Sequence, residues 1–98
     1  MNTICRELEL SDYHKAFLQC LTHLTSTKLL TYDEFQSIYN NYPGKVYVIE
    51  IDNKIVATAS LVIEHNIFET IAHIENVVTL PSHRGLGYAK LLLNKIID

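Results

Sequence analysis

A turn that carries two glycines, placed between an apolar extended run and a helical run, most constrains how this chain can fold. The turn is Arg84-Gly85-Leu86-Gly87-Tyr88-Ala89, and the extended run before it ends at Leu80. Glycine and small alanine let a backbone curve closely around an anion, and the N–H groups that open the next helix point towards it. The sequence therefore predicts a strand, a phosphate-binding loop and a helix in succession, although a plain turn that enters a helix stays open.

Length and charge limit what surrounds this unit. With 98 residues and 11.2 kDa the chain has room for one domain, residues 1–98. A net charge of −3 without Lys/Arg runs argues against a nucleic-acid partner. Cys5 and Cys20 lack CxxC or metal spacing, which favours free thiols and no metal site. Because no apolar run approaches membrane-spanning length and no signal peptide is present, we expect a cytoplasmic protein without a membrane partner.

The first half of the chain predicts a strand and two helices. Thr3 to Leu8 has an extended pattern, and Ser11 offers an N-cap to a run with apolar residues at helical spacing from Tyr13 to Leu24. Thr31 to Glu34 has the form of a capping box. A second helix therefore begins there and ends before Pro43-Gly44.

Three strands follow. Val46 to Ile51 and Lys54 to Glu64 are joined at Asp52-Asn53, a pair suited to a tight hairpin, and the second strand is apolar enough on both faces to be covered on both. The third strand runs from about Glu69 to Leu80. Its alternation breaks at Asn76-Val77, which predicts a bulge that leaves backbone groups unpaired.

The predicted element order is β-α-α-β-β-β-α with a mainly antiparallel sheet, which is the α+β class. This order and the loop Arg84–Ala89 resemble the GCN5-related N-acetyltransferases (GNAT), in which a Q/R-x-x-G-x-G/A loop binds the pyrophosphate of CoA. The resemblance implies the N-terminal half of an acyl-CoA N-acyltransferase fold, since the chain stops at Asp98 within its last helix. It also implies acetyl-CoA as the acetyl donor and a homodimer.

A narrower resemblance is to the glucosamine-6-phosphate N-acetyltransferases. Three segments carry it: Leu21–Thr27 with Leu30-Thr31, then Ile55–His65, then His73–Val78. One departure is Asn76, where that family usually has Asp. The resemblance implies transfer of acetyl to the amine of a small sugar phosphate.

The resemblance also implies residue roles. Glu75 is expected to orient or deprotonate the amine, and Asn76 to hydrogen-bond the substrate or hold the bulge. The expected CoA contacts are Val77 and Val78 through their backbone N–H groups, and Arg84, Gly85, Leu86, Gly87, Tyr88 and Ala89. The expected substrate contacts are Thr25, Thr27, His73 and Glu75.

Each role has a plainer alternative that the sequence leaves open. Glu75 is equally a strand carboxylate paired with a cation, and Thr25 to Thr27 are equally a polar loop that ends a helix. At the level of the whole chain, two other functions stay open. One is an N-acetyltransferase that acts on another amine. The other is a truncated, non-catalytic domain that binds CoA or dimerises.

Overall fold

A four-stranded antiparallel sheet forms the centre of the protein. We describe it from a computed structural model that defines residues 3–23 and 29–97. The strands lie in the order in which they occur in the chain: β1 (Thr3–Glu7), β2 (Lys45–Ile51), β3 (Lys54–His65) and β4 (Thr70–Thr79). The predicted α+β class and antiparallel sheet are confirmed.

Helices cover both faces of this sheet. In chain order they are a 3-10 helix (Leu10–Lys15), α1 (Phe17–Leu21), α2 (Tyr32–Asn41), a 3-10 turn (Pro81–His83) and α3 (Tyr88–Ile97). None of the helices in the described ranges is long and apolar enough to cross a membrane. The predicted order of helices and strands is therefore observed, with one helix divided in two.

That divided helix corrects the prediction of a single helix capped by Ser11. The 3-10 helix is capped by Glu9 instead, whose N–H donates to the Asp12 carboxylate over 2.8 Å. Ala16 then adopts a left-handed conformation with φ of 66°, which ends the 3-10 helix before α1 begins. Asp12 is fully buried within the 3-10 helix, where Arg6 binds its carboxylate.

Arg6 and Asp12 belong to a partly buried ion cluster that joins β1, β2 and the 3-10 helix. Two guanidinium nitrogens of Arg6 contact the two Asp12 oxygens at 2.8 and 2.7 Å, and one of them also contacts Glu50 at 2.6 Å. Lys15 contacts the second Glu50 oxygen at 3.1 Å. Burial alone raises the pKa of the Asp12 carboxyl, but hydrogen bonds from Arg6 and from the Glu9 N–H outweigh it, so that this pKa lies below its ordinary value.

Two local predictions are confirmed. Thr31 and Glu34 form the capping box, since the Glu34 N–H donates to the Thr31 hydroxyl over 3.2 Å and the Thr31 N–H donates to the Glu34 carboxylate over 2.9 Å. Asp52 and Asn53 form the hairpin turn between β2 and β3 with φ of 50° and 65°. Both signals were readable because each depends on residues that are close together in sequence.

The middle of β3 is buried on both faces, as the sequence predicted. Ala57 and Ala59 lie on the face that packs against α3, which we name the α3 face. Thr58 and Ser60 lie on the opposite face beneath α1 and α2, which we name the α1/α2 face. The core therefore consists of two thin layers with the sheet between them.

Candidate functional site

The predicted bulge in β4 is confirmed. Thr58 pairs with Val78 and Ser60 pairs with Glu75, so that two residues of β4, Asn76 and Val77, stand against one residue of β3. Asn76 has a φ of 55°, a left-handed conformation that asparagine tolerates better than most residues. A bulge of this kind leaves the extra residue without a regular ladder partner.

The bulge decides which side chains share a face. Residues 75 and 78 would point to opposite faces of a regular strand, because their separation is odd. Here Glu75 lies opposite Ser60 and Val78 lies opposite Thr58, and both partners are on the α1/α2 face. Val78 is buried there, whereas Glu75 is exposed. The extra residue therefore places the Glu75 carboxylate on the α1/α2 face in contact with solvent.

His73 lies further along the same face of β4. It pairs with Val62, and its Nε2 is 2.9 Å from a carboxylate oxygen of Glu64. Glu64 is exposed and His73 is half-buried. The predicted residues His73, Glu75 and Asn76 thus lie on one segment of β4, and His73 and Glu75 share a face of the sheet.

The loop Arg84–Ala89, named the glycine loop from here on, connects the end of β4 to α3. Gly85 and Gly87 have φ of 79° and 82°, a region that residues with a side chain rarely adopt. A Cβ atom placed at either glycine would meet nothing within 4 Å, so that conformation and not crowding requires glycine here. The space beside both residues is open for a ligand.

α3 begins directly at this loop. The N–H of Leu91 donates to the carbonyl of Gly87 over 3.0 Å, so that the preceding N–H groups face the loop without a partner further back in the helix. The partial positive charge of a helix N-terminus favours an anion at this place. Loop and helix together fit a phosphate group.

Arg84 has a local partner that the sequence did not indicate. Its Nε donates to the carbonyl of Thr79 over 3.2 Å, and its own N–H lies 3.5 Å from the carbonyl of Pro81. The side chain is exposed. Arg84 therefore ties the glycine loop back to the last residue of β4 and leaves part of its guanidinium free to meet an anion.

A cavity of about 470 Å³ lies on the α1/α2 face and reaches the bulge. Its helical side includes the rings of Phe17, Phe35 and Tyr39, and its floor includes Ser60 and Asn76. Sequence reasoning predicted the helix α2 but gave no sign of this space. The apolar periodicity of α2 was the only signal, and it does not distinguish a filled core from an open one.

Thr25 and Thr27, expected as substrate contacts, lie outside the described residues.

The metal-binding side chains do not cluster in the part of the chain that the structure describes. Within residues 3–23 and 29–97, no group of three or more His, Cys, Asp or Glu side chains could hold a metal ion. Both cysteines are free, Cys5 half-buried and Cys20 buried, and burial raises the pKa of the Cys20 thiol to about 11.

The strand order, the bulge and the glycine loop define an acyltransferase fold, and comparison with known families agrees. Residues 5–98 match the acetyltransferase (GNAT) family. The chain belongs to this family, and by class it is an acetyl-CoA-dependent N-acetyltransferase.

The more particular likeness is to enzymes that acetylate an amino sugar phosphate. The chain is 33% identical to glucosamine 6-phosphate N-acetyltransferase of Arabidopsis thaliana over 95% of this chain and 69% of that protein. It is 34% identical to the Trypanosoma brucei brucei enzyme of the same name, over 95% of this chain and 68% of that protein. The crystal structure of the Arabidopsis enzyme superposes with a TM-score of 0.93, at 30% identity, over the whole of this chain and 74% of that chain. The chain thus spans about two thirds of the length of these relatives.

Proposed function

We propose that this protein transfers the acetyl group of acetyl-CoA to the amino group of glucosamine 6-phosphate. The observation that carries this proposal is the match, over 95% of the chain, to two enzymes named for that reaction. Support from the structure is the presence, on β4 and its continuation, of both parts that such a transfer needs. These parts are an anion-binding loop and a carboxylate beside a strand bulge.

The glycine loop holds the donor in this proposal. Its backbone N–H groups and the start of α3 bind the pyrophosphate of CoA, and Gly85 and Gly87 let the phosphate approach closely. Arg84 adds a charge-assisted contact from the part of its guanidinium that Thr79 does not occupy.

The bulge and Glu75 act on the reacting groups. Backbone N–H groups near Val77 and Val78 donate to the thioester carbonyl oxygen as negative charge develops on it. Glu75 accepts a proton from the ammonium group, directly or through water, so that the neutral amine attacks the thioester carbon. The bond from carbon to sulfur breaks, and the thiolate leaves and takes up a proton. No covalent intermediate with the protein is needed, and holding the two substrates together contributes most of the acceleration.

We also propose that the enzyme is a homodimer. Ile67 and Phe68, at the turn between β3 and β4, are 90% and 89% exposed. Asn66 holds this turn firmly, because its side-chain oxygen accepts hydrogen bonds from the N–H groups of Phe68 and Glu69 at 2.8 and 2.9 Å. Two adjacent apolar side chains held in water favour association with another copy. Sedimentation analysis of the protein and of Phe68→Ser tests this, since only the variant should run as a monomer.

The catalytic proposal is tested by mixing the purified protein with acetyl-CoA and a panel of amines and detecting the free thiol. Faster turnover with glucosamine 6-phosphate than with glucosamine or a polyamine is expected. Turnover confined to an amine that is not a sugar would overturn the acceptor. Calorimetric titration with CoA separates the remaining outcomes, because tight binding without any turnover indicates a non-catalytic CoA-binding protein.

A further inference from the structure

We propose that β4 pairs along its outer edge with β4 of a second copy, around a two-fold axis at Ile71. This inference rests on the homodimer in the proposed function, and it names the surface by which the two copies meet. The outer edge is the side of β4 that faces away from β3. In the part of the chain that the structure describes, β4 is the last strand on its side of the sheet. An open strand edge of this kind can bind another strand through its backbone.

The backbone groups that face outward along β4 follow from its pairing with β3. At the end of this hairpin, the N–H of Asn66 donates to the carbonyl of Glu69 over 3.0 Å. Opposed residues of an antiparallel ladder alternate between pairs that exchange hydrogen bonds and pairs that do not. Counted from this first pair along the observed register, the N–H and carbonyl groups of Thr70, Ala72 and Ile74 point outward. These three residues can therefore bond to a second strand.

The bulge and Arg84 limit how far such pairing can extend. Asn76 has a φ of 55°, which lies outside the extended conformation of a regular ladder. Beyond the bulge, the carbonyl of Thr79 already accepts a hydrogen bond from Nε of Arg84 over 3.2 Å. The edge that is open to a second strand is therefore the segment from Thr70 to Glu75.

Charge and backbone conformation disfavour a two-fold axis further along β4 than Ile71. An axis at Ala72 would set Glu69 against the partner's Glu75, and like charges directly opposite each other are destabilising. An axis at His73 would set two imidazoles against each other. An axis at Ile74 would extend the pairing into the bulge.

An axis at Ile71 satisfies both the backbone and the charges. Thr70 and the partner's Ala72 exchange two hydrogen bonds, and symmetry doubles this number to four. Glu69 then lies opposite the partner's His73, and this pair of opposite charges also occurs twice. The register is therefore selected by the residues of one short segment.

The side chains that meet in this register still have surface in water. Phe68 and Ile74 are 89% and 41% exposed, and each comes opposite the other in the partner. Burial of this apolar surface stabilises the pair. Nε2 of His73 is 2.9 Å from the Glu64 carboxylate, which leaves its Nδ1 to meet the partner's Glu69. The exposed turn between β3 and β4 thus forms part of the same surface as the strand edge.

Disulfide formation under mild oxidation tests the position of the axis. Ile71 and its counterpart form a pair without hydrogen bonds, in which Cα atoms lie about 4.5 Å apart, within the range of a disulfide. Ile71→Cys should therefore link two copies. Ile74→Cys would lie about 20 Å from its counterpart along the strands and should not link them. The unchanged protein, whose free thiols are Cys5 and Cys20, gives the background.

Two substitutions of one residue test the backbone pairing. Ala72→Pro removes an N–H that points away from β3, so that the ladder within one copy keeps its hydrogen bonds. The dimer loses two of its four hydrogen bonds, and sedimentation analysis should show its Kd raised by at least about tenfold. Ala72→Ser keeps the N–H and should leave this Kd within about twofold. Circular dichroism shows that each variant is folded.

The outcomes separate this inference from the proposed function. A linked dimer of Ile71→Cys but not of Ile74→Cys, together with a weaker dimer of Ala72→Pro, supports the inference. A dimer that Ile71→Cys fails to link, or that Ala72→Pro leaves unchanged, overturns it and leaves the proposed homodimer intact. A protein that is monomeric throughout overturns both. Turnover of glucosamine 6-phosphate in the same preparation tests acetyl transfer independently of the pairing.

Discussion

Replacing Gly87 with alanine tests whether the glycine loop is held in a conformation that only glycine adopts cheaply. Gly87 has a φ of 82°, and a Cβ atom there would meet nothing within 4 Å. The cost is therefore conformational alone, about 1–2 kcal/mol for a residue with a side chain in the left-handed region. If the loop relaxes to another conformation when alanine is present, the same free energy must be supplied on binding. The Kd for CoA should then rise by roughly 5- to 30-fold.

Calorimetric titration with CoA measures this change in Kd. Two further variants serve as controls. Gly87→Asn should weaken binding less than Gly87→Ala, because asparagine enters the left-handed region more readily. Gly44→Ala acts elsewhere, since its Cβ atom would overlap the carbonyl oxygen of Leu61. It should therefore lower the free energy of unfolding and leave the loop unchanged. An unaltered Kd for CoA in a folded Gly87→Ala protein would refute the assignment of the loop.

Three further predictions concern the carboxylates. Glu75→Gln should lower kcat ~10²–10⁴-fold and leave the Kd for CoA unchanged. Glu69→Gln, at the exposed turn between β3 and β4, should leave kcat unchanged. An equal loss of kcat in both variants would show that Glu75 does not act as the base. Asp12→Ala should lower the free energy of unfolding by about 1.5–3 kcal/mol, measured by urea denaturation, because it removes the charge-assisted hydrogen bonds from Arg6 to Asp12 while Arg6 keeps its contact with Glu50. The pKa of Glu50, chiefly through its hydrogen bond from Arg6, and that of Asp12 lie below the ordinary values of 4.5 and 3.8. The stability that these two ionised carboxylates contribute is therefore complete above their ordinary pKa values and is lost as the pH falls through the lower pKa values of the folded protein. Asp12→Asn should make the free energy of unfolding, measured by urea denaturation, depend less steeply on pH in this acid range.

Features that depend on neighbouring residues were the ones that the sequence predicted well. The capping box at Thr31 and the hairpin at Asp52-Asn53 need only residues that are close in the chain. The bulge at Asn76 was also predictable, because a change of side-chain facing leaves its mark on the alternation of one strand. In each case the physical cause and the pattern occupy the same few positions.

Features that depend on distant residues were missed for the corresponding reason. Arg6 and Glu50 are 44 positions apart, and in sequence each is an ordinary charged residue that could face water. Arg6 also binds the buried Asp12, and no residue near Ala16 signals the left-handed conformation that ends the 3-10 helix there. The cavity under α2 is likewise a property of how far a helix stands from a sheet, which periodicity does not encode.

The two parts of the candidate site depend on each other through the geometry of one strand. Because the bulge places Glu75 and Val78 on the same face, the end of β4 keeps the facing that lets Leu80 bury its side chain and bond through its N–H to the carbonyl of Val56. The 3-10 turn Pro81–His83 then sets the distance to the glycine loop. Removing the extra residue would move either the carboxylate or the strand end to the wrong face, since side chains alternate. The bulge is therefore the feature that allows a carboxylate on the α1/α2 face and an anion-binding loop at the strand end to serve one reaction.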